Sequence, residues 1–366
     1  MNGTTTNTNQ RFTRVLRDDI KNVRFQKDVK REFRELKSFY LTEEQNERLA
    51  GMKPIRKGWH IFIWIFKSLF LHLTPFRRIL TVLGLFVIFM GSNIIINDSN
   101  VQVNNSGLVG GAIIFIVLML ELKDKLLAKD ELEAGRKVQK ALMPEQSPKV
   151  DGWSLWLYTR PANEVGGDLV DYLKINDYRI GLVIGDVAGK GLHAALLNAK
   201  LQSTVRALAA DYDSLSQLCG KINNIFYRDS LSSIFASMLY LEIKPGESEV
   251  RLVNAGHLPP YLVTQNEIKE ITKSNPAIGL MKDFSFNEDI LEMQKGEMII
   301  GYSDGVTEAR NEYGQFFEKD RFVNLLSRIK NYSFENLGEY IVEAVDDFVG
   351  DSPVTDDLSL LIIRKD

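Results

Sequence analysis

Carboxylates recur at the ends of apolar runs in this chain. Asp168 lies in Arg160-Pro-Ala-Asn-Glu-Val-Gly-Gly-Asp-Leu-Val-Asp-Tyr172, and Asp186 in Ile184-Gly-Asp-Val-Ala-Gly-Lys-Gly191. Asp304 follows the apolar run Met298 to Tyr302 and precedes Gly305. Asp356 and Asp357 stand just before Leu358-Ser-Leu-Leu-Ile-Ile363. Each is a carboxylate at a strand end beside a turn, where backbone carbonyls are also free. Hard divalent cations such as Mg²⁺ and Mn²⁺ favour such oxygen sites, with water completing an octahedron. The chain has only four His and one Cys, which argues against a zinc-type nitrogen or sulfur cage. A single Asp beside Gly is more often a turn or capping residue. It is the recurrence of the pattern that points to metal chemistry.

Strands must position these groups. Leu169 to Ile175 and Arg179 to Ile184 are rich in β-formers, and Asn176-Asp177 between them suits a two-residue turn. An antiparallel pair folded there brings Asp168 and Asp186 within one residue of facing each other. Directly opposed side chains sit roughly 4.5–5.5 Å apart at Cβ. Like charges at that separation repel, so the arrangement makes sense with a cation between them.

Five motifs then follow in one order: Glu164-Val-Gly-Gly-Asp168, Gly185-Asp-Val-Ala-Gly-Lys-Gly191, Asn254-Ala-Gly-His257, Ser303-Asp-Gly-Val-Thr-Glu308 and Asp356-Asp-Leu-Ser359. Over roughly residues 135–366 they resemble the sporulation-phosphatase (SpoIIE-type) branch of the metal-dependent protein phosphatases, relatives of protein phosphatase 2C. The resemblance implies an α+β fold, an antiparallel β-sandwich flanked by helices, with the metal site at one edge. It implies catalytic roles for Asp168, Asp186 and Asp304. Asp186 would bridge two Mn²⁺ or Mg²⁺ ions, and the Val187 carbonyl would bind one of them. Asp304 and Asp356 would hold the other, with Asp357 ranked behind Asp356. Asp168 would act through a metal-bound water or as a direct ligand. A phosphate monoester dianion repels nucleophiles, and two cations roughly 3.5–4 Å apart neutralise it and lower the pKa of a bridging water.

Two departures stand out. The broader group has a His two residues after its bridging Asp, and here that residue is Ala188. It also has a phosphate-gripping Arg, whose pattern Arg160 does not match cleanly. The branch commonly lacks both, so protonation of the leaving group is unassigned. The resemblance implies a phosphoserine or phosphothreonine substrate on a regulatory protein, a STAS-like anti-sigma-factor antagonist. The alternatives are a pseudophosphatase scaffold, or a nucleotide hydrolase, for which no base-recognising residues are evident. Gly185 to Gly191 is too short for a nucleotide phosphate loop and has no Ser or Thr after Lys190. His257 reads as a hydrogen-bonded turn residue, His193 as a surface residue and Cys219 as core.

The rest of the chain is expected to place this domain. Residues 1–10 are Thr- and Asn-rich, and residues 11–57 are dense in charge with a basic excess. Trp59 to Phe76 resembles an interfacial helix. Ile79 to Ile96 has no charge over about the length that crosses a bilayer. A second uncharged run follows from Val101 to Leu120. Lys67, Arg77 and Arg78 lie before the first run, and Lys123, Lys125 and Lys129 after the second. That asymmetry predicts a multi-pass protein of the inner membrane, in contact with the lipid bilayer, with both termini cytoplasmic. Leu120, Leu127, Ala134 and Ala141 recur at heptad spacing, suggesting a connector helix able to pair two subunits as a homodimer. The expected divisions are a charged segment 1–58, a membrane region 59–122 with spans at about 79–97 and 103–121, a connector 123–146 and a phosphatase domain 147–366. A net charge of −3 points to no nucleic-acid affinity, and the lone Cys219 to a reducing compartment.

Overall fold

Helix starts in the N-terminal part of the chain are set by residues that satisfy free amides or lack one. In a computed structural model, residues 37, 40–90, 93–95, 102–104, 106–229, 234–272, 275–329 and 332–366 are described. Residues 1–36 of the charged segment expected over 1–58 lie outside them. Two compact units meet between Lys125 and Leu126. In the first, α1 (Glu43–Ala50) opens on a capping box in which Thr42 and Gln45 each accept the other's amide. Prolines occupy the first turns of α2 (Pro54–His72) and α3 (Pro75–Met90), where a missing N–H costs nothing. A strand pair, β1 (Asn93–Ile95) with β2 (Gln102–Asn104), separates α3 from α4 (Ser106–Leu142).

The membrane expectation fails here. Among the described residues, no helix is long and apolar enough to cross a membrane. The helix α2 carries Arg56, Lys57 and Lys67. The helix α3 has 16 residues, about 24 Å at 1.5 Å per residue, against a hydrocarbon core of roughly 30 Å. The uncharged run counted through Ile96 is divided between α3 and a β-strand. The apolar start of α4 ends at Glu121, and Glu121 and Asp124 bond the Arg77 guanidinium, each at 2.6 Å. The charges read as membrane flanks thus include partners in one cluster. A multi-pass, inner-membrane location is not supported, and the lipid contact that depended on it loses its footing.

The second unit matches the antiparallel sandwich that the resemblance implies. One five-stranded antiparallel sheet contains β4 (Asp168–Lys174), β5 (Ile180–Val187), β6 (Ala236–Ile243), β7 (Glu249–Ala255) and β10 (Asp289–Glu292), ordered β10-β7-β6-β5-β4. The other contains β3 (Trp153–Arg160), β8 (Tyr261–Val263), β9 (Ile268–Glu270), β11 (Met298–Tyr302) and β12 (Leu358–Lys365), ordered β3-β12-β11-β8-β9. Their facing sides bury Leu155, Leu157, Leu182, Ile184, Leu239, Leu241, Leu361 and Ile363 in one core. Helices α5 (Gly191–Leu208) and α6 (Leu215–Asp229) cover the first sheet through Leu201, Val205, Leu218 and Ile222. Helices α8 (Glu318–Ile329) and α9 (Phe334–Val349) cover the second through Phe322, Leu326, Leu337 and Ile341. A single turn of helix, α7 (Asp304–Thr307), follows β11. The short charged strands β9 and β10 carry no apolar alternation that would mark them in advance.

Two contacts tie this frame to the end of α4. Gln139 exchanges both amide atoms with the Gly166 backbone, at 2.8 and 3.1 Å. The Leu142 carbonyl accepts from Gln202 and Arg206, each at 3.0 Å, while Arg206 also clamps buried Asp171 on β4. On the opposite layer, α9 approaches β3 at Gly338, where an added Cβ would run into the Trp156 indole. Overpacking of this kind costs about 1–3 kcal/mol. Gly338→Ala is therefore expected to lower the second unit's unfolding free energy by that amount, seen as a fall in the denaturant midpoint at unchanged m-value, and an unchanged midpoint would show that the layer has room to yield.

Candidate metal centre

The β4–β5 hairpin turns where Asn176 caps the Tyr178 amide, and its register sets Asp168 directly opposite Asp186. The two strands extend further toward their open end than the apolar pattern alone suggests, and both aspartates are in the ladder. Asp186 is partly exposed, and its amide donates to Ser237 Oγ on β6 at 3.2 Å. Asp168 is 6 % exposed, and its Oδ2 has no hydrogen-bond partner. The chain then crosses to the second sheet. Asp304 begins α7 at the end of β11, and Asp356 and Asp357 precede β12. Gly305 makes the meeting of these segments possible, because a Cβ there would strike the Asp357 carbonyl.

Asp186, Asp304, Asp356 and Asp357 line one cavity, together with Gly167, Lys190 and Thr355. Asp168 is buried and is not among the residues that line it. Asp357 is committed to the backbone. Its Oδ1 accepts from the Ala162 amide at 2.7 Å, and its Oδ2 from those of Gly167 at 2.7 Å and Asp168 at 3.3 Å. It therefore holds the loop before β4 in place, a role that the ranking behind Asp356 did not foresee. Asp356 is paired with Lys190 at 2.9 Å. Among the described residues, no group of three or more His, Cys, Asp or Glu side chains stands as a ready metal cage.

Burial and crowding act on these acids together. Burial, then the charges of Asp304, Asp356 and Asp357, push the Asp186 carboxyl up to about 7. Burial and Asp356 raise Asp304 as well. Asp168 lies well above the usual carboxylate range, first through burial and then through Asp186 and Asp357. The Ser359 and Ser303 hydroxyls beside it oppose that rise, but donate elsewhere, to Thr159 Oγ1 and the Asp357 carbonyl. The acids share too little positive charge for their burial.

The residues fit hard cations on two observations. A Cβ placed on Gly167 would lie 3.1 Å from Asp186 Oδ1 and 3.2 Å from the Val187 carbonyl oxygen. The missing side chain thus leaves both oxygens facing one small space. The donors available are all oxygens, with Asp168 Oδ2 buried and unpaired. His257 is not one of them. It is buried and held neutral, with burial pushing its pKa down to about 4. Its Nδ1 lies 2.8 Å from Ser237 Oγ, so the ring supports the serine that receives the Asp186 amide. Asn254 closes that loop with two hydrogen bonds to the His257 backbone. Arg160 turns away to Asp346, at 2.6 and 2.8 Å, and Cys219 is core. Ser237 carried no sequence signal, since a lone Ser at a strand start has no motif. Lys190 is visible in its motif, but there it reads only as part of a glycine-rich loop.

Comparison with known proteins agrees with this architecture. The family model for Stage II sporulation protein E (SpoIIE) matches residues 176–366. Protein IcfG of Synechocystis is 28% identical over 269 residues, covering 63% of this chain and 42% of its own length. The phosphoserine phosphatase RsbU of Bacillus subtilis is 26% identical over 241 residues, covering 65% of this chain and 70% of its own. The chain thus spans less than half of IcfG. The SiaA-PP2C domain of Pseudomonas aeruginosa superposes with a TM-score of 0.56 at 19% identity, over 66% of this chain and 99% of that domain. At that identity the likeness speaks to the fold.

The raised Asp186 pKa has a signed consequence. Between its ordinary value of 3.8 and about 7, the folded state holds a proton that the unfolded state lacks, so this group's contribution to stability falls as pH rises. In chelator, Asp186→Asn should therefore gain in Tm over wild type progressively between about pH 4 and pH 7. A Tm difference independent of pH would remove Asp186 from the crowded group.

Proposed function

This chain belongs to the Stage II sporulation protein E (SpoIIE) family of PP2C-type serine phosphatases, and from that starting point we propose that residues 147–366 hydrolyse phosphoserine or phosphothreonine on a regulatory protein. The observation that carries the reading is the convergence of Asp186, Asp304 and Asp356, from three distant segments, on one cavity that Gly167 also lines. Phosphoserine as substrate draws on RsbU, which is named for that activity. The regulatory protein proposed is an anti-sigma-factor antagonist of STAS-like fold. A homodimer through the connector part of α4 would suit the heptad positions there.

Asp186, the Val187 carbonyl, Asp304 and Asp356 would hold a pair of Mn²⁺ or Mg²⁺ ions, with Asp168 opposite Asp186. Such ions neutralise phosphoryl charge and lower the pKa of a bound water. The chain's own residues do the placing. The β4–β5 register fixes Asp168 against Asp186, and Ser237 with His257 holds the Asp186 backbone. Asp357 fastens the Gly167 loop, which keeps a side chain out of the space above Asp186. Ala188 stands where the wider group has a histidine, so the leaving group's proton has no assigned donor.

A scaffold without turnover is the rival reading, and the Lys190–Asp356 pair favours it, since that pair leaves one acid engaged. Phosphate release from a phosphoserine peptide by the full chain with Mn²⁺ decides between them. Asp186→Asn and Asp304→Asn should each reduce release at least about a hundredfold with the circular dichroism spectrum unchanged. Full activity of either variant, or wild-type turnover that survives a chelator, would overturn the phosphatase reading.

A further inference from the structure

Lys190 is the charged residue of the cavity to which the reaction has given no part. It precedes α5, and its side chain is 66% exposed. Its ammonium donates to Asp356 Oδ2 at 2.9 Å and to the Thr355 carbonyl at 3.1 Å. No other basic side chain among the described residues lines this cavity. Arg160, the remaining candidate for gripping phosphate, is engaged by both oxygens of Asp346. A phosphate monoester dianion entering the site therefore meets four carboxylates and one ammonium.

We infer that Lys190 is a two-position residue, neutralising Asp356 while the site lacks divalent cations and turning to the substrate's phosphoryl group once they take Asp356. The second position rests on the phosphatase reading, and the first stands without it. Exposed ion pairs are weak, so the present contact is released at little cost. The long stem leaves the ammonium free to swing, and lysine serves phosphate as a compact point charge. Asp356 then passes from an internal cation to an external one, and Lys190 becomes available when an anionic substrate can bind.

Two measurements on the full chain test this. The first titrates Mn²⁺ calorimetrically into wild type, Lys190→Gln and Lys190→Arg without substrate. Loss of the competing ammonium should tighten Mn²⁺ binding about fivefold in Lys190→Gln and leave Lys190→Arg near wild type. The second measures turnover of a phosphoserine peptide at saturating Mn²⁺. Lys190→Gln should raise KM about tenfold with kcat within about twofold, and Lys190→Arg should recover most of the loss. Because the side chain is largely exposed, all three proteins should melt alike. Mn²⁺ binding no tighter in Lys190→Gln sinks the first position, and an unchanged KM sinks the second. If wild type released no phosphate, the phosphatase reading and the substrate position would fall together, while the Mn²⁺ titration would still decide the contest for Asp356.

Discussion

Like charges do not gather in a partly dry place unless something holds them there. Asp168, Asp186, Asp304 and Asp356 come together at one edge of a β-sandwich, and burial raises the first three above ordinary carboxylates. The frame opposes this repulsion with a large buried core between its sheets and with helices fastened outside them. The unfavourable charge is local and the restoring packing is spread over the whole domain. That imbalance is what a cation-binding edge needs, since the ion then relieves a strain the fold already bears.

The means of gathering are mostly backbone. Asp168 and Asp186 are fixed by strand register, not by side-chain contacts with each other. Asp357 uses its charge on three amides and so pins the loop carrying Gly166 and Gly167. Gly305 allows an approach that any Cβ would obstruct, and at Gly167 a Cβ would crowd Asp186 and the Val187 carbonyl. Behind Asp186, Ser237 and a neutral His257 form a buried hydrogen-bonded support. The side chains facing the cavity are thus few, and the residues that place them are more numerous and carry less obvious chemistry.

The first unit shows where reading by composition misleads. Runs without charge at 79–96 and 101–120 have the length of membrane spans when counted as single helices. Hydropathy counts do not register helix breaks. Pro75 starts a new helix, α3 ends at Met90, and β1 and β2 take residues from both runs. What is left of each run in helix is too short, and Arg77, Glu121 and Asp124 meet at its ends.

The sequence by itself determined the order of the longer strands and helices of the sandwich, without the short β9 and β10, and brought Asp168 and Asp186 within one residue of facing each other. Both rest on local alternation and on one turn, whose spacing counts residues directly. It also carried the family motifs, because chemistry confines residue types at particular spacings. Only the tertiary structure decided that Asp357 anchors a loop while Asp356 pairs with Lys190, that Arg160 serves Asp346, and that Ser237 and His257 stand behind Asp186. Those outcomes depend on which groups approach across sheets from segments more than a hundred residues apart in several cases, and no local pattern encodes such a meeting.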